Sequence, residues 1–251
     1  MERIIKYPRT PHLVGSGIQA GDEDLSQVPF SEILGKNIVI EEKIDGANCG
    51  ISFQNGELLL QSRGHYLVGG NRERHYALLK KFGAENHALL YSILGERYIM
   101  YGEWMYAKHR IYYDALPDYF LEFDIFDKEN KIFLDTPTRA KMLENSPVKS
   151  VPTLCQGIFK NKTEILKFLG KSAFITDKNK ENLALECEKQ GVAYADALDK
   201  SELSGDMEGL YIKVEENGEV KSRVKFVKPA FKQVKTDEHW FEKIIIPNKL
   251  K

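Results

Sequence analysis

The chain has 251 residues, with 36 Lys and Arg against 37 Asp and Glu, a net charge of −1, and 42% hydrophobic and 29% charged residues. That is enough chain and apolar content for one large domain with a full core. Near neutrality excludes a globally basic nucleic-acid binder, so contact with a polyanion must come from a local patch.

No apolar run reaches membrane-spanning length, and Met1-Glu2-Arg3-Ile4-Ile5-Lys6-Tyr7-Pro8 is not a signal peptide. Three widely spaced cysteines, Cys49, Cys155 and Cys187, form no metal-ligand set. They fit small buried hydrophobes in a reducing cytoplasm.

Residues 1–36 are rich in Pro, Gly and turn formers and read as an arm packed on the rest of the chain. Strand-like text begins at Asn37. The run Asn48 to Phe53, then Asn55-Gly56, then Glu57 to Ser62 predicts a hairpin, because Asn-Gly suits a type I′ turn. Residues 71–94 carry helical periodicity, with a break expected near Gly83 and a stop at Gly95. Strands are expected over 97–105 and 119–126, and Thr136 before Pro137 as a helix N-cap. Residues 161–203 read as mostly helical and polar. A second hairpin, Gly209 to Val214, Asn217-Gly218 and Glu219 to Val227, closes the domain. The pattern predicts an α+β fold of antiparallel sheets flanked by helices.

Lys43 stands between apolar, β-prone runs, in Val39-Ile40-Glu41-Glu42-Lys43-Ile44-Asp45-Gly46. Desolvation of such a lysine lowers its pKa toward neutrality and exposes the lone pair that a nucleophile needs. The bare spacing K-x-x-G is weak and recurs at Lys80–Gly83 and Lys167–Gly170, in helix-like text where glycine reads as a C-terminal cap. Lys43 gains weight from charged residues at strand-like positions elsewhere: Arg63, Glu103, Glu208 and the cluster Arg223-Val224-Lys225-Phe226-Val227-Lys228.

Lys43-Ile44-Asp45-Gly46, Ser62-Arg63-Gly64, Gly102-Glu103-Trp104, Glu122-Phe123-Asp124, Glu208-Gly209-Leu210-Tyr211-Ile212-Lys213 and Val224-Lys225-Phe226-Val227-Lys228 occur in the order of motifs I, Ia, III, IIIa, IV and V. They resemble the covalent nucleotidyltransferase superfamily of polynucleotide ligases and mRNA capping enzymes. Tyr101-Gly102-Glu103-Trp104 and Lys108-His109-Arg110-Ile111-Tyr112-Tyr113-Asp114 resemble its RNA ligase 2-like branch. The resemblance implies a nucleotidyltransferase (adenylation) domain over 37–235, preceded by an arm (1–36) and followed by a short tail (236–251). It implies ATP and Mg²⁺ (or Mn²⁺), a lysyl-AMP intermediate on Lys43, and sealing of 5′-phosphate to 3′-hydroxyl ends in RNA repair.

The implied roles are nucleotide binding by Glu42, Arg63, Glu103 (ribose), Phe123 (adenine) and Lys228, metal binding by Glu208, and α-phosphate stabilisation by Lys225 alongside Lys43. Motif V commonly has two lysines one residue apart, whereas Val227 stands at the second place, leaving Arg223, Lys228 or neither. The chain ends 23 residues after Lys228 (251 − 228), too short for a C-terminal OB-fold. The implied partners are RNA ends, nicked duplex included, with no membrane and with room for a partner protein that supplies RNA binding. The alternatives are an adenylyltransferase or a nucleotide- or RNA-binding module without complete strand sealing. Lys108-His109-Arg110 beside Tyr112 and Tyr113 could hold a phosphate and stack a base, although a solvated turn is the simpler reading. The acidic run Asp22-Glu23-Asp24 reads as solvated.

Overall fold

The structure is a computed structural model and describes residues 3–18, 21–231 and 244–251. In chain order its strands are β1 (His12–Leu13), β2 (Gln27–Val28), β3 (Asn37–Lys43), β4 (Ala47–Gln54), β5 (Glu57–Ser62), β6 (Tyr98–Trp104), β7 (Phe120–Asp127), β8 (Ile132–Phe133), β9 (Lys149–Ser150), β10 (Thr153–Ile158), β11 (Gly209–Glu216) and β12 (Glu219–Val227). The α-helices are α1 (Ala77–Glu85), α2 (His87–Leu94), α3 (Thr136–Met142), α4 (Lys162–Leu166), α5 (Asn179–Gln190) and α6 (Tyr194–Asp199).

Two six-stranded sheets result. One has the order β10-β3-β11-β12-β1-β2, and the other runs β5-β4-β6-β7-β8 with β9 on β7. Both are mainly antiparallel, with parallel pairs where β1 meets β12 and β2 and where β9 meets β7.

The strand period of two explains how the first sheet is used. Ile38, Ile40, Leu210, Ile212, Val224 and Phe226 alternate onto one face and pack with Ile33, Phe159 and Ile165. Burying each such side chain contributes about 1.5–3 kcal/mol. The intervening positions carry Glu41, Lys43, Tyr211, Lys213, Arg223 and Lys225 on the opposite face, toward the second sheet. That second sheet buries Cys49, Ile51, Phe53 and Met100 under Leu79, Leu90 and Leu94 of α1 and α2. The sandwich therefore keeps its apolar packing outside and its charge between the layers.

Both hairpins form as expected, with Asn55, Gly56, Asn217 and Gly218 all at positive φ, which a type I′ turn requires. The helical stretch breaks at Asn86, not at Gly83, which lies inside α1 against Leu58. The α3 cap is Asp135, whose side chain accepts from the Thr138 amide at 3.0 Å. Thr136 instead donates to Glu215. Helix occupies less of 161–203 than the pattern suggests, because α4 and α5 are separated by residues 167–178. Strand β10 lacks the alternation that marks a half-buried strand, and the sequence pattern does not predict it. It is an edge strand pairing with β3.

The end of the tail docks on the domain: Pro247 bridges Ala107, Leu116 bridges Leu250, and Ile246 packs beside Tyr112. The boundary at 235/236 lies outside the described residues. Cys49 and Cys187 are buried, Cys155 is half-buried, and all three are free thiols. No helix among the described residues is long and apolar enough to cross a membrane.

Candidate active site

Strand register assembles the site. Gly209 lies opposite both Lys43 on β3 and Val227 on β12, so the ends of three strands meet in one row. In the next row Tyr211 stands between Glu41 and Lys225. Gly209 permits this convergence, because a Cβ there would lie 2.1 Å from the Phe226 carbonyl oxygen. Gly46 has the matching role in the turn after Lys43. A Cβ on it would lie 2.6 Å from Met105 Sδ and 2.8 Å from Glu103 Cγ. Close packing of backbone against neighbouring strands explains both glycines. On the second sheet Asn48 pairs with Glu103, and Arg63 follows the end of β5.

These elements enclose a cleft of about 750 Å³, measured out to its open mouth. Lys43, Glu42, Arg63, Glu103, Phe123 and Lys225 all line it. Glu208 lies fully buried behind Lys43, with Oε2 accepting from Nζ at 2.7 Å. Lys228 is not among the lining residues and is bonded to Asp206 at 3.1 Å. Arg223 is engaged deeper, 3.9 Å from the centroid of the Phe133 ring and 3.6 Å from Asp124. Of the motif V cations, Lys225 is thus the one in the cleft wall. The Glu42 side chain faces away from Lys43 in the strand alternation and accepts from the Ala173 amide at 3.3 Å.

Phe123 reaches the wall through a β-bulge. Asp124 is opposite Tyr101 while Glu122 is opposite Gly102, leaving Phe123 out of the ladder. Its carbonyl, freed from strand pairing, accepts from Arg139 and Lys213. Its ring meets Tyr7 edge-on at 5.0 Å.

The arm contributes more than its sequence suggests. Tyr7, Pro8, Arg9, Thr10 and Asp22 line the cleft. Tyr7 donates to Asp124, and the Tyr211 hydroxyl lies 2.8 Å from both the Tyr7 hydroxyl and Thr10 Oγ1. His12 pairs in register with Lys225, which brings Asp22 onto the Lys225 ammonium. Asp22 also meets His12 at 3.2 Å and Arg9 at 3.3 Å, so it is engaged, not merely solvated. The opposite charges of Arg9 and Asp22–Asp24 are the sequence signal that could have found this contact. Nothing local in sequence points to Tyr7, Asn48 or Tyr211.

The electrostatics correct the expectation of a depressed lysine. Burial pushes the Lys43 ammonium down, but Glu208 and then Glu103 outweigh it and hold the pKa above its usual value. Burial pushes Glu103 and Glu208 each up to about 7 against that attraction. Lys225 is lowered by burial and by Lys43, with Asp22 opposing. Burial would raise Asp22, but Lys225 and His12 hold it below the usual carboxylate range.

The donor set can be tested against a divalent cation. Glu208 Oε1 is buried without a hydrogen-bond partner among the described residues. No group of three or more His, Cys, Asp or Glu among those residues could hold a metal. A single orphaned carboxylate oxygen suits a hard cation that keeps waters and takes its remaining ligands from phosphate. Glu41 in the cleft wall joins Glu122, Asp124, Arg139 and Lys213 in a buried ion network that runs under the cleft, with Arg139 at 2.9 Å from Glu41 and 2.7 Å from Glu122.

Residues 36–229 match the family model described as RNA ligase. No curated protein sequence matches the chain. Among solved structures it is similar to a mutant of Naegleria gruberi RNA ligase with ATP and Mn, at 16% identity and a TM-score of 0.51, covering 88% of this chain and 60% of that one. An apo mutant of the same ligase gives 17% identity and 0.51, covering 90% and 57%. The ligase with PPi gives 18% and 0.50, covering 91% and 62%. At these identities the likeness establishes the fold. The chain spans from 57% to 62% of the length of these three structures.

Proposed function

The chain belongs to the RNA ligase family, and from that premise we propose that it is an ATP-dependent RNA ligase that works through a lysyl-AMP on Lys43. The observation that carries the reading is the convergence of Lys43, Glu208 and Lys225 at three adjacent strand ends, in a cleft also lined by Arg63, Glu103 and Phe123. ATP is the co-substrate: adenine against Phe123, ribose hydroxyls at Glu103, phosphates toward Arg63 and Lys225. Lys43 Nζ attacks the α-phosphorus, a P–N bond forms, and the bond to pyrophosphate breaks.

Attack requires the neutral amine, whereas Glu208 and Glu103 favour the ammonium. Glu208 accepts from Nζ and is the adjacent base that can receive its proton, its own pKa being pushed up to about 7. A Mg²⁺ or Mn²⁺ ion held through Glu208 would supply Lewis-acid stabilisation of phosphate charge and compete with Lys43 for that carboxylate. Arg63, which makes no ion pair among the described residues, presents a fork suited to paired phosphate oxygens. Lys225 offers a second cation once phosphate displaces Asp22.

The same reading takes 1–36 as an arm packed on a nucleotidyltransferase domain over 37–235, followed by a tail over 236–251. It assigns the enzyme to cytoplasmic RNA repair on single or nicked-duplex ends, with any further RNA grip supplied by a partner protein. Buried free thiols at Cys49 and Cys187 are compatible with a reducing compartment.

Intact-protein mass measurement after incubation with ATP and Mg²⁺ tests the proposal. The expected result is a gain of one AMP by the wild type and none by Lys43→Ala. ATP binding without an adduct on protein free of bound AMP would instead favour a binding module.

A further inference from the structure

The basic triplet after β6 stands on a loop anchored to Asp45, two residues after Lys43. Asp45 spends its carboxylate on backbone: Oδ2 accepts from the Arg110 amide at 2.7 Å and the Ile111 amide at 2.9 Å. The Asp45 amide in turn donates to the buried Tyr113 hydroxyl at 2.9 Å. From the other side the tail fixes the same segment. The Lys108 amide donates to the Ile246 carbonyl at 2.8 Å, and buried Asn248 bonds Met105, Tyr106 and Tyr113. The triplet is therefore held on a braced loop.

Lys108, His109 and Arg110 make no ion pair among the described residues. Lys108 Nζ has only the His109 carbonyl, at 3.0 Å, and Arg110 Nε is buried without a partner. Burial lowers Lys108 to about 8 and also lowers His109; Asp45 opposes the shift in both, while Lys108 and Lys43 press further on His109. His109 is thus within electrostatic reach of Lys43. None of the three lines the nucleotide cleft. Tyr112 and Tyr113 are buried in the core, which removes the base-stacking reading and leaves the phosphate one.

Half-buried cations such as Lys108 and Arg110, without an ion-pair partner among the described residues, cost free energy that an anion can return. In the ligase reading, once pyrophosphate has left, the remaining reaction partner is an anion whose phosphate must reach the AMP phosphorus on Lys43. We propose that Lys108, His109 and Arg110 form the docking site for the terminal 5′-phosphate of the RNA strand, beside Lys43 and separate from the nucleotide cleft. The inference rests on the ligase reading above. In the step it serves, an oxygen of the 5′-phosphate attacks the AMP phosphorus. A P–O bond forms, the P–N bond breaks with its electron pair returning to Nζ, and Nζ takes up one proton. A terminal phosphate, a dianion above its second pKa, suits the paired cations Lys108 and Arg110, with neutral His109 beside them as a hydrogen-bond donor, better than the single charges of a passing backbone.

The test compares 5′-phosphorylated with 5′-hydroxyl RNA of one sequence, by fluorescence anisotropy, on wild type, Lys108→Gln and Lys108→Gln/Arg110→Gln. Wild type is expected to prefer the phosphorylated strand, and the double variant to lose tenfold or more of that preference, with Lys108→Gln intermediate. Equal weakening for both RNAs would make the triplet a general backbone contact and overturn the assignment, as would an unchanged preference. AMP-adduct mass is read separately. Its absence in wild type would remove the ligase reading and the inference with it, whereas its absence only in the variants would move the triplet to the ATP phosphates.

Discussion

Two groups of opposite charges lie between the sheets, one above the other, and they differ in how completely each charge is answered. In the lower group Lys213 meets Glu41 at 2.8 Å and Asp124 at 3.2 Å, and Arg139 bridges Glu41 and Glu122. In the cleft above, Lys43 has one carboxylate bond, to Glu208, whose second oxygen is unpartnered among the described residues, and Lys225 has Asp22. The side-chain types are the same, but the first set ties the layers together and the second leaves capacity for a ligand. A network that satisfies its members rigidifies; one left open is where chemistry is done.

Matched lysine substitutions give the largest contrast. Lys213→Met should destabilise by about 3 kcal/mol, because it leaves buried Glu41 with Arg139 alone and buried Asp124 with only Arg223 and Tyr7. Lys43→Met should cost about 1 kcal/mol or less, since Glu208, already near 7, can accept a proton. Urea denaturation of both variants decides the point, and equal losses would break the distinction. A smaller effect is expected at Asp22. Asp22→Asn frees Lys225 and should tighten ATP binding about 3- to 10-fold in calorimetry. Weaker binding would instead make Asp22 part of the nucleotide's own binding set.

The smallest effect is a pH slope. The fold raises Glu103 from 4.5 to about 7, so it favours the protonated carboxyl. The resulting stability is fully present below about pH 4.5 and is lost as pH rises through about 7. The wild-type melting temperature should therefore carry a downward slope over that window that Glu103→Gln lessens, as a thermal melt series would show.

Much of the arrangement is legible in the sequence because its signals are local. Asn55-Gly56 and Asn217-Gly218 state their turn type in two residues, and the β-branched run Ile38-Val39-Ile40 marks a strand. Lys43, Arg63, Glu103, Phe123 and Lys225 do meet in one cleft. Edge strand β10 is not legible, because pairing with β3 stabilises it rather than any pattern of its own. The Phe123 bulge is equally hidden: it is a register slip between two strands, visible only once both are aligned.

By itself, the sequence determined the two hairpins, the order of the motif residues and the family to which they belong. Tertiary structure alone decided the protonation of Lys43, the place of the arm and the bracing of the Lys108–Arg110 loop. Lys43 carries its proton because Glu208, 165 residues away, is brought to 2.7 Å. Asp22 reaches Lys225 because β1 pairs with β12. Backbone turns depend on neighbours in the chain, whereas an ionisation state depends on every charge and every water-excluding group nearby in space, and only the folded chain brings those together.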